Sequence, residues 1–237
     1  MKTIFKLTMK FASRDPFMLF WSILLPIGVL IGLGLYVKIP EYPTSLVTGM
    51  MATSIMFYSL VTTAYAVLSN RRRGVYNLLR VTPMSLWRYI ICVAGAWTLI
   101  SFGCGTLVLI AGVLFFKIHV SISSILMLIP VALIANIGYV LLSFFLANLS
   151  RNESQVSMIS NLLILPLMFC SNAFYSLGGA PPFIQTISRF NPFQWFISGL
   201  RSSLLGDISG FLTNSGLLLL VVVAAILLAV RTFRFSD

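Results

Sequence analysis

The chain has 237 residues, of which 59% are hydrophobic and 9% charged, and its mean hydropathy is +1.00. That composition excludes an ordinary soluble domain and describes an all-α, multi-span integral membrane protein. The net charge of +11 lies in loops and ends beside apolar runs, where anionic headgroups and the positive-inside rule account for it better than nucleic acid does.

Residues 1–15 carry Lys2, Lys6, Lys10 and Arg14 at four-residue spacing, with Ile4, Phe5, Leu7, Met9 and Phe11 between them. On a helix this makes a basic stripe beside an apolar face, which predicts an interfacial helix lying in the headgroup plane. The first span is expected at 16–37. It follows four basic residues and lacks a small-residue cleavage pattern, so it reads as a span and not a signal peptide. Pro26 is expected to kink it, and Gly28 and Gly32 form a weak G-x-x-x-G pair. Residues 38–44, with Pro40 and Pro43, form a short external turn.

The second span is expected at 45–69 and returns the chain to its starting side. Ser54, Tyr58, Thr62, Tyr65 and Ser69 recur at helical spacing. They line either a substrate path or a face of helix-to-helix hydrogen bonds. Residues 70–86 then interrupt the apolar pattern with Arg71, Arg72 and Arg73, followed by Val75, Leu78, Leu79 and Val81 on one face and Thr82-Pro83 as a stop. Each arginine costs roughly 2.5–3.5 kcal/mol at a membrane centre, so the segment stays at a surface. So short an amphipathic helix is marginal in water without a docking partner.

The third span is expected at 87–116, with Gly103, Gly105 and Gly112 suggesting close packing, and the fourth at 122–149, with Asn136, Tyr139 and Ser143 as a polar face. The fifth is expected at 155–171. Its Asn161 and Met168, together with Asn172, share a face with apolar neighbours. In 172–207 the pairs Gly178-Gly179 and Pro181-Pro182 preclude a continuous helix. Two helices too short to span are expected there as an external re-entrant pair, with Asn191 capping the second and Pro192 in its first turn. The last span is expected at 211–230.

Twelve of the sixteen basic residues then fall on one side, leaving Lys38, Lys117, Arg189 and Arg201 on the other. This places both termini in the cytoplasm of a cell-membrane protein with about six spans. Cys92, Cys104, Cys170 and His119 show no metal-ligand spacing, so no metal site is expected. No phosphate-cradling G-x-x-x-x-G-K-[ST] loop and no catalytic constellation occurs, so the chain has no ATPase site of its own. The five acids fall at loops, interfaces or the terminus, which disfavours the alternative of an ATP-independent secondary transporter or channel.

The run R-R-R-G-V-Y-N-L-L-R-V-T-P-M-S resembles the charged G-x-x-x-L-L-x-x-T-P signature that follows the second span in permease subunits of type-2 ABC exporters. N-P-F-Q-W-F-I-S-G-L-R, after a G-G-x-P-P turn, is similar to the external re-entrant signature of the same group. The resemblance implies that Arg71, Arg72, Arg73, Gly74, Tyr76, Asn77, Leu78, Leu79, Arg80, Thr82 and Pro83 contact a nucleotide-binding ATPase subunit. ATP and Mg would be bound by that partner. It implies a substrate path along Ser54, Tyr58, Thr62, Tyr65, Asn161, Met168 and Asn172. An external gate would involve Phe174, Tyr175, Pro181, Pro182, Asn191, Pro192 and Arg201. It further implies a second permease chain, identical or a sister, with membrane lipids around both, and outward transport of an amphiphilic drug, antimicrobial peptide, lipid or glycan. Family members often carry a glutamate three residues after the glycine, where this chain has Asn77. The segment is purely basic, so a complementary acidic rim is expected on the ATPase.

Overall fold

The computed structural model describes residues 2–13, 16–37, 42–75, 86–175 and 177–232, and these are helical with no strand among them. Helix α1 (Lys2–Ala12) leads to α2 (Pro16–Tyr36). The second long helix comprises α3 (Tyr42–Met56), a π-helical turn (Phe57–Thr62) and α4 (Thr63–Arg72) without interruption. Then follow α5 (Leu86–Phe116), α6 (Ile122–Leu149) and α7 (Glu153–Phe169), a 3-10 turn (Leu177–Gly179), the short α8 (Pro182–Arg189), α9 (Pro192–Leu205) and α10 (Ile208–Thr232).

Among the described residues, five helices are long and apolar enough to cross a membrane: Leu19–Tyr36, Tyr42–Arg72, Arg88–Phe116, Ile122–Leu149 and Ile208–Ala229. The fifth expected span, 155–171, differs. Helix α7 has 17 residues, or about 25 Å at 1.5 Å per residue, against roughly 30 Å of hydrocarbon. It runs Glu153–Phe169 and so stops short of the expected 171. Pro166 lies in its last turn, where it can neither donate a backbone hydrogen bond nor extend the helix comfortably.

Two other boundaries shift for local reasons. The second long helix starts at Tyr42, ahead of the expected 45, because Pro43 falls in its first turn, where a missing N–H costs nothing. Helix α9 continues to Leu205, since only Gly206, at φ 73°, ends it. Helix α10 therefore restarts almost at once, at Ile208 instead of 211.

The second long helix is the centre of the bundle, and 83% of its most apolar window is buried by the rest of the chain. It packs against α2 and α5 through α3 and against α6 through α4, while α6 also holds α9 and α10, and α1 lies on α5. Small residues permit these approaches. A Cβ on Gly105 would meet Ile55, and one on Gly112 would meet Val47 and Leu30. Gly103, Gly28 and Gly32 have no atom within 4 Å of such a Cβ, so the G-x-x-x-G pair makes no close contact within one protomer. Asn136 adds a polar tie: Ser101 Oγ donates to its Oδ1 at 2.7 Å, and its Nδ2 donates to the Thr98 carbonyl at 2.9 Å.

Helix α9 runs antiparallel to α6. The Phe196 ring stands 6.1 Å from that of Tyr139, Gly199 lies against Val131, and the Leu204 carbonyl accepts from Ser124 Oγ at 3.1 Å. The C-terminal part of α9, in the region expected to be re-entrant, thus occupies the Ser124 end of α6. The arginines at the end of α4 occupy the opposite end, where α6 finishes at Leu149.

Candidate functional site

At that end, Ala64, Val67 and Leu68 form the buried stripe of α4, and Arg71 continues it by one further turn. Its guanidinium donates from Nη1 to the carbonyls of Ala147 and Asn148 at 3.2 and 3.3 Å, and from Nη2 to that of Ser150 at 2.7 Å. Arg71, expected as an ATPase contact, is thus directed inward onto the C-terminus of α6. Arg72 and Arg73 are exposed. Arg72 lies 3.7 Å from Glu153, the first residue of α7, so one acid for the basic segment comes from within the chain. Arg73 stands 6.0 Å from the centre of the Phe11 ring, at the limit of a cation–π contact. Gly74, at φ 71°, turns the chain out of α4, a conformation that costs other residues roughly 1–2 kcal/mol. Tyr76, Asn77, Leu78, Leu79, Arg80, Thr82 and Pro83 lie outside the described residues.

The expected path residues do not form one surface. Ser54 is fully buried and donates to the Ser22 carbonyl of α2 at 2.6 Å. Tyr58 is fully buried too, and its hydroxyl donates to the Ala12 carbonyl at the end of α1, 3.2 Å away. Thr62 is buried and Tyr65 half-buried against the same core. For Ser54 and Tyr58 the geometry is that of helix-to-helix hydrogen bonding. Asn161 faces the other way: it is exposed on α7 beside Leu162 and Leu165. Met168 is half-buried against the core.

Asn172, expected on the path, is bonded instead to Arg201, one of the residues expected at the external gate. Its backbone N–H donates to Gln194 Oε1 at 2.7 Å, its Oδ1 accepts from the Leu177 N–H at 2.9 Å, and its carbonyl receives Arg201 Nη2 at 3.5 Å. Asn191 is buried and works in two directions. Its Nδ2 donates to the carbonyls of Leu167 and Cys170 at 2.8 and 2.9 Å, and its Oδ1 accepts from the N–H groups of Phe193 and Gln194 at 2.8 and 3.4 Å. One side chain therefore closes the C-terminus of α7 and opens the N-terminus of α9. Pro192 follows in the first turn of α9, and Pro182 plays the same part at the start of α8, with Pro181 at the capping position before it. The Phe174 carbonyl accepts from the Tyr42 hydroxyl at 3.0 Å, and the exposed Tyr175 donates to the Phe169 carbonyl.

Of the residues expected at the gate, hydrogen bonds link Arg201 to Asn172 and Asn191 to the end of α7, and sequence reasoning missed Gln194 and Glu153. The position of Gln194 inside N-P-F-Q-W was the available signal for the first. Glu153, distant from Arg72 in sequence, offered none. It also missed the inward turn of Arg71, which only the packing of α4 on α6 reveals.

Comparison with known proteins agrees with this layout. The model of the ABC-2 type transporter family matches residues 1–205. Over 180 residues the chain is 27% identical to the inner membrane transport permease YadH of Escherichia coli K12, covering 72% of this chain and 68% of that protein. The counterparts in Escherichia coli O157:H7 and Shigella flexneri match to the same extent. The family model covers far more than half of the chain, including both the segment after α4 and the re-entrant region, so this protein belongs to the ABC-2 type transporter family, as a multi-pass permease subunit that works with an ATPase subunit.

Proposed function

We propose that the chain is the membrane half of an exporter that moves an amphiphilic substrate outward, with ATP and Mg bound by the partner subunit and both termini in the cytoplasm. The observation that carries this reading is the junction at Arg71–Gly74. A central, buried membrane helix ends there in exposed cations and a left-handed glycine, at the end of the bundle opposite the re-entrant helices. The end of α4 there supports docking of the residues that follow to a soluble partner, and the twelve-to-four distribution of basic residues supports a cytoplasmic location for them. ATP binding would close the partner subunits, displace 70–83 and reorient the long helices.

Two permease chains would form the membrane core. The exposed side of α7 supports this: Met158, Leu162, Leu165 and Phe169 are at least half exposed, with Asn161 among them. Leucines there could face lipid, but an exposed amide at membrane depth calls for a polar partner. A second permease chain or the substrate path would supply it.

The test is a double substitution, Leu78→Asp with Leu79→Asp. It should abolish co-purification with the ATPase subunit while membrane insertion is retained, because it places two charges on the docking face. Undiminished ATP-dependent transport by that variant would sink the coupling assignment.

A further inference from the structure

Arg71 and Arg72 are consecutive, yet they reach two sides of one junction. Arg71 donates to the carbonyls of Ala147 and Asn148 in the last turn of α6, where carbonyls lack an intrahelical N–H partner, and to that of Ser150, the residue capping it. Arg72 stands over Glu153, the first residue of α7. The junction itself is stiff. Ser150 is fully buried, and both its N–H and its Oγ donate to the Leu146 carbonyl, at 3.1 and 2.8 Å. Beyond it the Arg151 N–H donates to Gln155 Oε1 at 2.7 Å, and the Gln155 N–H donates to Asn152 Oδ1 at 2.8 Å.

The two arginines are not equivalent. The Arg72 pair is exposed on both sides, at 55% and 69%, where screening leaves an ion pair little strength. Arg71 instead presents a planar fork to three fixed carbonyls at a helix C-terminus, where a cation is favoured. Gly74 breaks the helix three residues later. A displacement of the following segment is therefore delivered to α4 at a point already tied to α6.

We propose that Arg71 is a positioning residue that transmits displacement of the 75–83 segment to the α6–α7 junction through its bonds to Ala147, Asn148 and Ser150. The inference rests on the coupling role given to that segment above. It removes Arg71 from the surface offered to the ATPase and makes the start of α7 the second element to respond to nucleotide.

Arg71→Lys tests it, because lysine keeps the charge and the topology but has no fork able to hold three carbonyls. Hydrogen–deuterium exchange is followed in the complete permease–ATPase complex in lipid nanodiscs, nucleotide-free and trapped with ATP and vanadate. In the unsubstituted complex, nucleotide should alter exchange both at 75–83 and at 150–156. In Arg71→Lys the response at 75–83 should persist while that at 150–156 falls by roughly five-fold or more, the scale of one lost hydrogen bond. A smaller fall overturns the proposal. So does a variant that no longer assembles with the ATPase, since Arg71 would then be a contact or folding residue. If 75–83 responds in the unsubstituted complex but 150–156 does not, the proposal alone fails. If 75–83 shows no response there, the coupling reading fails and the proposal with it.

Discussion

Asn191 illustrates what one side chain can decide. An amide has two donors and two acceptor lone pairs on separate atoms, and Asn191 directs both donors at the end of α7 and its oxygen at the start of α9. Aspartate would keep the cap and lose both donors, setting a carboxylate against two carbonyls. Alanine would lose everything. Asn191→Ala is expected to destabilise the protein by about 2–4 kcal/mol, combining a lost N-cap with two carbonyls left without their donor. Asn191→Asp should rescue little of it. Thermal unfolding of the detergent-purified protein measures both. A midpoint for Asn191→Asp equal to that of the natural protein would show that the α7 carbonyls need no donor. Arg71 likewise joins two elements, α4 and the C-terminus of α6, but these lie far apart in sequence.

At the scale of elements, the bundle depends on backbone approaches that only small residues allow. A Cβ on Gly49 of α3 would collide with the Ala173 carbonyl in the loop after α7, and backbone cannot move aside as a flexible side chain can. Gly49→Ala should therefore lower the unfolding midpoint clearly and disturb the neighbouring bond from Tyr42 to Phe174. Gly28→Ala, with open space around it, should be neutral or slightly stabilising through the better helix propensity of alanine, worth about 1 kcal/mol at most. Equal effects from the two would contradict the close approach. The π-helical turn at Phe57–Thr62 sits between the part of the second helix tied to α2 and the part tied to α6. Such turns interrupt the regular α-helical ladder, and nothing in the residue pattern there signals one.

At the scale of the whole molecule, the two sets of expected path residues separate. Ser54 and Tyr58 hold α2 and α1 inside one protomer, whereas Asn161 is exposed on α7. Asn161→Ala should therefore change substrate-stimulated ATPase activity of the complex by several-fold, the scale of one lost hydrogen bond to a ligand or partner. The exposed Leu220→Ala on α10 should leave it nearly unchanged. Assays of both variants beside the natural complex decide the matter, and equal effects would assign Asn161 to packing.

The all-helical class, the basic break after the second apolar run, the double-proline turn and the Asn191 cap were legible along the chain, whereas of six expected spans five described helices are long enough to cross. Each legible feature depends on hydrophobic length, charge or the chemistry of a proline or amide acting over a few neighbours. Helix ends were less legible. Pro43 enters a first turn as readily as it stops a helix, and Pro166 shortens α7 where composition alone suggests a full crossing.

The sequence by itself determined that this is an α-helical membrane protein whose charged segment after the second run must stay out of hydrocarbon, because the cost of burying charge and unpaired backbone in lipid leaves no other arrangement. Only the tertiary structure decided which way each polar side chain on those helices faces. Hydroxyls and guanidinium groups at helical spacing can line a path, bind a partner or hold a neighbouring helix. The rotation of each helix against its neighbours, set by close approaches such as Gly49 on Ala173 and Gly105 on Ile55, chooses among them. That rotation turned Tyr58 toward α1 and Arg71 onto the last carbonyls of α6.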